Sequence, residues 1–224
     1  MLDSRLDTVK PTLPTPLPRT APIARAADAG ADLRQRILAT AETLLEERGV
    51  AGLSLREVAR RAGVTHQAPY HHFADREAIL AELVARGFAE LARRLAEPNA
   101  HVAAAGRRAT LVASGAAYVG FALDHPGIFR IMFRPELCDP ARFPEAQAAG
   151  EAAHGELRRM VALVHGAQAS EALATGYWSL VHGLACLMVD GPLGQQLSGP
   201  RARRAHTIEA LSAMVELIPL DDPP

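Results

Sequence analysis

The sequence predicts an all-α protein. Apolar residues occupy 49% of the 224 positions, mostly as alanine and leucine, whereas aromatic residues account for 4%. Alanine and leucine favour helices, and the aromatic and β-branched residues that favour strands are scarce. Apolar positions recur at helical spacing, and no stretch shows the alternation of a half-buried strand. We expect about nine helices, arranged as a three-helix N-terminal domain followed by a helical bundle.

Residues 1–31 are predicted to form a disordered arm. Five prolines lie between positions 11 and 22, and proline removes helix donors and favours extended chain. Arg19 and Arg25 are placed to reach a minor groove beside a DNA contact. A solvated tail without a role explains the same composition.

Residues 32–80 form the second predicted unit. Helical periodicity begins at Asp32, which is placed to cap a helix that ends at Gly49. Ser54 and Glu57 then have the spacing of a capping box, which indicates the start of a second helix. This helix carries apolar residues on one face and arginines on the other, as an amphipathic surface helix does.

The stretch that follows the second helix predicts a tight turn. Ala59 is small enough for two helices to cross closely, and Gly63 supplies the left-handed conformation that ends a helix. Thr65 is placed to cap a short third helix that runs to about His72, and Asp75 caps a fourth. Two short helices joined in this way are a helix-turn-helix, whose second helix enters the major groove of DNA.

This segment resembles the TetR family of transcriptional regulators. The resemblance covers about fifty residues, and its motif positions are Ser54, Val58-Ala59, Ala62-Gly63-Val64-Thr65, Tyr70, His72-Phe73, Arg76-Glu77 and Leu80. It implies DNA-phosphate contacts by four side chains, all hydrogen-bond donors, which suits anion binding: Ser54, Tyr70, His72 and Arg76.

Base reading falls to the exposed residues of the third helix, which begins at Thr65. A glutamine bonds an adenine edge in two places, a histidine donates to guanine, and an alanine meets a thymine methyl group. The predicted base-reading residues are His66, Gln67, Ala68 and His71.

Three positions depart from the family pattern. Gln67 stands where the family has a small residue, and Arg76 replaces a lysine while keeping the charge. Pro69 replaces a common leucine, removes a donor and crowds the carbonyl of Thr65. We therefore expect a loosened or 3₁₀-like first turn in the third helix.

Residues 81–224 are predicted to form the effector-binding and dimerisation domain. Trp178, His182 and Gly183 form a W-x3-HG arrangement, which resembles the WHG type of TetR C-terminal domain. The resemblance implies that the last two helices form a four-helix seam in a homodimer. The helices expected here are 103–124, 126–133, 144–165, 170–189 and 200–217.

The same resemblance implies a small-molecule effector of unknown identity, held in an apolar pocket of this domain. For Trp178 and Gly183, packing within the chain or at an interface is the favoured interpretation, since large apolar groups are usually core. The candidate effector-binding residues are Tyr118, Phe121, Met132, Met160, Trp178 and His182.

Other classes of site are weakly supported. His182, Cys186 and Asp190 recur every four residues with types that bind transition metals, but one helix rarely supplies a complete site. We predict no metal and no cofactor. The apolar stretch from Leu180 to Val189 is interrupted and shorter than a membrane span, so no membrane partner is expected.

The predicted function is a sequence-specific transcriptional regulator, a repressor that leaves a palindromic double-stranded operator when an effector binds. The formal net charge is −1, so affinity for DNA must come from a local surface. With two cysteines and no secretion signal, we expect a cytoplasmic protein. No catalytic motif is present, so we predict that it is not an enzyme. The alternatives are an enzyme or small-molecule-binding protein that uses the helix-turn-helix only as scaffold, and a protein-interaction adaptor.

Overall fold

The computed structural model describes residues 22–139 and 141–220. Over these residues the chain folds into ten α-helices and two 3₁₀ turns without a β-strand, which confirms the all-α prediction. The 3₁₀ turns are Ala68–His71 and Gly166–Gln168. The α-helices are α1 (Pro22–Gly52), α2 (Leu55–Ala62), α3 (Arg76–Ala100), α4 (Val102–Ala105), α5 (Arg107–Asp124), α6 (Pro126–Met132), α7 (Pro144–His165), α8 (Glu171–Val189), α9 (Pro192–Gln196) and α10 (Gly199–Glu216).

The first helix begins earlier than predicted. It starts at Pro22 rather than after a cap at Asp32, because proline is tolerated in the first turn and the following residues are mostly alanine. The prediction of a disordered arm over residues 1–21, with Arg19, lies outside the described residues. Gly49 interrupts the helical geometry at φ 64°, which agrees with the predicted end of the regular helix.

The turn between α2 and the segment after it forms as predicted. The backbone N–H of Glu57 donates to the Ser54 hydroxyl at 3.2 Å, which satisfies one of the free donors at the helix start. Gly63 adopts φ 67° and ψ 35°, a left-handed conformation that a residue with a Cβ rarely takes. The N–H of Val64 then bonds the carbonyl of Ala59 at 3.0 Å and fixes the direction of the next segment.

The third helix differs from the predicted α-helix. It is a single 3₁₀ turn whose preceding residue, Gln67, makes no side-chain cap, so the predicted capping role of Thr65 is wrong. Thr65 contributes its backbone carbonyl, which accepts from Ala68 N–H at 3.0 Å. The 3₁₀ geometry confirms the expectation of a loosened turn at Pro69, whose side chain is buried. We call residues 65–72 the recognition turn.

The C-terminal helices match their predicted bounds closely, with two differences. The predicted helix 103–124 is split by Gly106 at φ 85°, a backbone angle that ends the short α4. The additional helix α9 lies in the loop around Pro192. In the bundle, α3 packs along α7 and α5, while α5 also contacts α8 and α10.

Helix α6 links the two halves of the chain, because it packs against both α1 and α3. The backbone N–H of Gly127 donates to the Glu46 carboxylate at 2.8 Å. On α3, a Cβ at Gly87 would lie 2.5 Å from Ile128 and 2.8 Å from the sulfur of Met132. Glycine at this position therefore allows α6 to lie directly on α3.

The apolar part of α8 extends over more residues than the stretch of ten noted in the sequence. Among the described residues, α8 is the helix that is long and apolar enough to cross a membrane. Of its 18 most apolar consecutive residues, 17% are buried within the chain. Length and composition alone are weak evidence for a span. The surface of α8 is therefore an apolar face that the rest of the chain leaves largely uncovered.

Candidate DNA-binding surface and effector cavity

The recognition turn presents its polar side chains outward. Tyr70 is 55% exposed, and the residues predicted to read bases are accessible together, with Ala68 partly covered. Residues three apart in a 3₁₀ helix lie one above the other. The turn therefore offers one edge with Gln67 and Tyr70 and a second with Ala68 and His71, while Thr65 and His66 are exposed at its start.

Two of the predicted phosphate contacts are less accessible than the others. Ser54 is exposed, whereas His72 and Arg76 are partly covered. The Arg76 guanidinium donates through Nη2 to the carbonyl of Val50 at 2.6 Å, and its Nε is buried without a partner. Arg76 thus ties the start of α3 to the end of α1, and its contact with phosphate stays a prediction.

The arginines beside the turn are mostly paired with carboxylates. Arg60 contacts Glu57 at 2.6 Å and Arg61 contacts Glu47 at 2.7 Å. A hydrogen bond from Arg60 holds the pKa of Glu57 below its ordinary range. Arg56 is exposed on the same helix. Exposed ion pairs contribute little free energy, so a phosphate group can replace these carboxylates at small cost.

The C-terminal bundle encloses a cavity of about 550 Å³, between α3, α5, α7 and α8. Cavities of this size bind small organic ligands. Most of its wall is apolar, and its aromatic residues are Phe88 on α3, Tyr118 on α5, Phe133 directly after α6, and Tyr177 and Trp178 on α8. Residues on this wall include Phe88, Leu91, Leu95, Phe133, Leu157 and Val181.

Three of the six predicted effector residues lie on the cavity wall, namely Tyr118, Met160 and Trp178. Phe121 and Met132 instead face the core. Phe121 is 1% exposed and lies against His125, and Met132, at the end of α6, packs on Gly87 of α3. His182 lies behind the wall, so its contact with a ligand would be indirect. The expectation that these last three line the pocket is not met.

A hydrogen-bonded set of side chains forms one side of the cavity. Trp178 Nε1 donates to the Tyr118 hydroxyl at 3.2 Å, and that hydroxyl lies 2.9 Å from His182 Nδ1. Burial raises the pKa of Tyr118 and lowers the pKa of His182. Both therefore favour the neutral form, in which the tyrosine O–H donates to an unprotonated Nδ1.

The mouth of the cavity carries charged residues of both signs on one face of α7. Glu151 and Arg158 line the opening, with His154 between them. His154 Nε2 lies 2.7 Å from the carboxylate of Glu171 on α8. The mouth therefore has no strong preference for the charge of an entering molecule.

Several wall residues escaped the sequence interpretation. Ser114 is buried on α5 one turn before Tyr118, and Phe133 and Tyr177 complete the aromatic lining. A hydroxyl in the apolar run around Ser114 is the signal that could have found it, since buried polar side chains are uncommon on an apolar helix face. The position of Phe133 depends on long-range packing that spacing does not encode.

The residues considered for a metal site are separated by their contacts. Asp190 binds Arg130 at 2.7 Å, and His182 turns toward Tyr118. Over residues 22–139 and 141–220, no three histidine, cysteine or acidic side chains converge as metal ligands do.

Two family models match this chain. Residues 37–83 match the model of bacterial regulatory proteins of the tetR family, and residues 111–211 match a tetracyclin repressor-like C-terminal domain. The first contains the recognition turn and the second contains three of the four helices around the cavity. Together they match the two regions in which the sequence resembled this family.

Two curated relatives and one solved structure are similar to the chain. The HTH-type transcriptional regulator EthR of Mycobacterium tuberculosis is 41% identical over 70 residues, covering 31% of this chain and 32% of EthR. The HTH-type transcriptional repressor NemR of Escherichia coli is 36% identical over 66 residues, covering 30% and 33%. The chain thus aligns with about a third of the length of each relative. A protein of unknown function from Rhodococcus sp. RHA1 has 34% identity and a TM-score of 0.65, covering 82% of this chain and 93% of that one.

Proposed function

The chain belongs to the TetR family of bacterial regulatory proteins, and from this premise we propose that it is a homodimeric, effector-responsive regulator of transcription. Two recognition turns bind successive major-groove faces of a roughly palindromic duplex. The observation that carries this proposal is the exposed recognition turn, whose polar side chains are held outward by buried Ala59 and by the left-handed Gly63.

Homodimerisation is supported by the uncovered face of α8. Gly176 and Gly183 are exposed seven residues apart, and a Cβ on either would meet nothing within 4 Å. Glycine inside a helix costs about 1 kcal/mol relative to alanine, and no contact within the chain accounts for this cost. A second copy that approaches closely accounts for both glycines, and Ile208 on α10 is a further exposed apolar residue, at 45%.

The effector is proposed to act through α6. Phe133, directly after this helix, lies on the cavity wall, and Gly127 at its other end is bonded to Glu46 of α1. A ligand that displaces Phe133 would move α6 and therefore α1 of the DNA-binding unit. Such a ligand binds more tightly to a dimer with wrongly spaced recognition turns and shifts the population off DNA.

Repression is the proposed sign of regulation, and the relative named a transcriptional repressor supports it. We propose a cytoplasmic location and no catalytic activity. The apolar cavity also supports a second candidate, a small-molecule-binding protein in which the helix-turn-helix is only scaffold. The pairing of Arg60 and Arg61 with carboxylates favours this candidate, because it reduces the positive charge beside the recognition turn.

Selection of bound duplexes from a random library tests the proposal. We expect a palindromic sequence, bound by one dimer in the nanomolar range at physiological salt, as for specific DNA-binding proteins in general (about 10⁻⁸ M or tighter). Replacing His66 and His71 together by alanine should weaken binding, whereas replacing His101, which is exposed at the end of α3, should not. A library from which no sequence is enriched would support the scaffold interpretation.

A further inference from the structure

Ser114 lies on the cavity wall, and among the described residues its hydroxyl has no hydrogen-bond partner. The residue is 5% exposed and lines the cavity. Within the described part of the chain, no donor or acceptor pairs with its side chain. Among the described residues, the fully buried side-chain atoms without a partner are Arg76 Nε and Asn99 Oδ1, so the Ser114 hydroxyl is reached from the cavity.

Other hydroxyls in the helices show what Ser114 does not do. Those of Thr40, Thr43, Thr110, Ser179 and Thr207 each donate to the carbonyl four residues earlier. Ser114 has the same opportunity at Thr110, one turn earlier on α5, and does not take it. Its O–H is therefore available to a molecule inside the cavity.

The neighbouring polar groups of the wall are already engaged. The Tyr118 hydroxyl accepts from Trp178 and is paired with His182, and the Tyr177 hydroxyl lies 2.8 Å from His165 Nε2. The buried side of the cavity thus offers one uncommitted donor in an apolar surface. Site polar groups that must pair with a ligand discriminate strongly against analogues that lack the partner atom.

We propose that the cavity binds a neutral, largely apolar molecule with one oxygen that accepts a hydrogen bond, such as a ketone, ester or amide, and that Ser114 donates to this oxygen. The neutral class follows from the charged residues of the wall, since Glu151 and Arg158 are of opposite sign and both are exposed. This inference rests on the proposed function, because it defines the chemical class of the effector. It also makes Ser114 the residue that determines effector specificity.

Matched pairs of probes test the assignment. Three ketones are compared with the hydrocarbons in which CH₂ replaces C=O: benzophenone with diphenylmethane, dibenzyl ketone with 1,3-diphenylpropane, and 2-tridecanone with tridecane. Binding to the full chain is followed by the fluorescence of Trp178, the one tryptophan in the sequence, which lies on the cavity wall. In at least one pair we expect the ketone to bind about 3- to 10-fold more tightly, the contribution of one neutral hydrogen bond.

The Ser114→Ala protein should bind the hydrocarbons as before and lose the preference for the ketones. The matched control is Ser198→Ala, because Ser198 is exposed, makes no side-chain cap and lies outside the cavity. Circular dichroism verifies that both variants fold. The proposal is overturned if no probe binds, if wild type shows no preference, or if the preference survives in Ser114→Ala. Because the readout involves no DNA, a ketone that binds but leaves DNA affinity unchanged contradicts the proposed regulation and not this inference.

Discussion

Two tyrosines show how the DNA-binding surface differs from the cavity. Tyr70 is 55% exposed in the recognition turn, and Tyr118 is 5% exposed in the cavity wall. Water satisfies the exposed hydroxyl of Tyr70, so its surroundings need no partner; its contact with a phosphate group stays a prediction. Tyr118 must find partners inside the protein, and it does so in Trp178 and His182. The unpaired polar groups of an exposed surface therefore say little about its ligand. In a cavity, an unpaired donor indicates which polar atom the ligand has.

A third surface, the uncovered face of α8, differs from both because it is neither polar nor enclosed. If a second copy covers it, Gly183→Leu should weaken the dimer about 100-fold or more, or about 3 kcal/mol, because a large side chain prevents close helix approach. Analytical ultracentrifugation measures the dimer dissociation constant. Gly155→Leu on α7 is the control, since a Cβ there also meets nothing within 4 Å. Equal dimer affinity in the two variants would remove α8 from the seam.

The recognition turn depends on small buried residues more than on its own hydrogen bonds. Ala59 is 0% exposed, so Ala59→Leu should overpack the contact between the helices and reduce the free energy of unfolding by about 1–3 kcal/mol. Ala39→Leu is the matched control, because Ala39 is exposed on α1. Thermal unfolding measures both. A melting temperature that changes no more in Ala59→Leu than in Ala39→Leu would show that close packing does not position the turn.

Base reading and phosphate binding are separable at Gln67. Gln67→Ala should lose about 1–3 kcal/mol of discrimination at one or two base pairs, with little change at the other positions. The measurement is duplex selection with wild type and variant, and Gln195→Ala, exposed on α9, serves as the control. An unaltered sequence preference would exclude Gln67 from base reading.

Arg76 tests whether a partly covered guanidinium still reaches DNA. If it contacts one phosphate, Arg76→Ala should make the dependence of log affinity on log salt shallower by about 0.9 per protomer. Arg86→Ala is the control, since Arg86 lies on the same helix and pairs with Glu82 at 3.1 Å. A slope equal to that of the control would show that Arg76 does not contact phosphate. Its role would then be structural, through the hydrogen bond to Val50.

The smallest effect concerns the ion pairs on the bundle surface. The hydrogen bond from Arg93 lowers the pKa of Glu90 from its ordinary value of 4.5 to about 2. A carboxyl group whose pKa is lowered in the fold stabilises the protein at pH values above the pKa of the unfolded chain. This contribution is lost as the pH falls toward about 2. Solvent screens the pair, so Glu90→Gln should cost less than about 1 kcal/mol at neutral pH. In urea unfolding, the difference from wild type should shrink below pH 4.5; a difference that stays constant would contradict it.

The sequence was most informative where structure depends on neighbouring residues. The cap at Ser54, the left-handed turn at Gly63 and the bounds of α7 and α8 follow from residues within one or two turns. Phe121 and Met132 were expected on the cavity wall and lie in the core. Whether an apolar side chain faces the core or the cavity depends on which helix lies opposite it. The start of α1 at Pro22 differs from the prediction because the prolines before it favour extended chain, whereas the alanines after it favour a helix.

Amide hydrogen exchange of the full chain tests the central claim most directly, namely that the recognition turn is the surface that reads DNA. A selected duplex should slow exchange over residues 65–72, and a scrambled duplex of equal length should slow it much less. Residues on the cavity wall, such as Ser114 and Met160, should be unaffected by the duplex at their own amides. Protection that is absent from residues 65–72 while the selected duplex is bound would contradict the account.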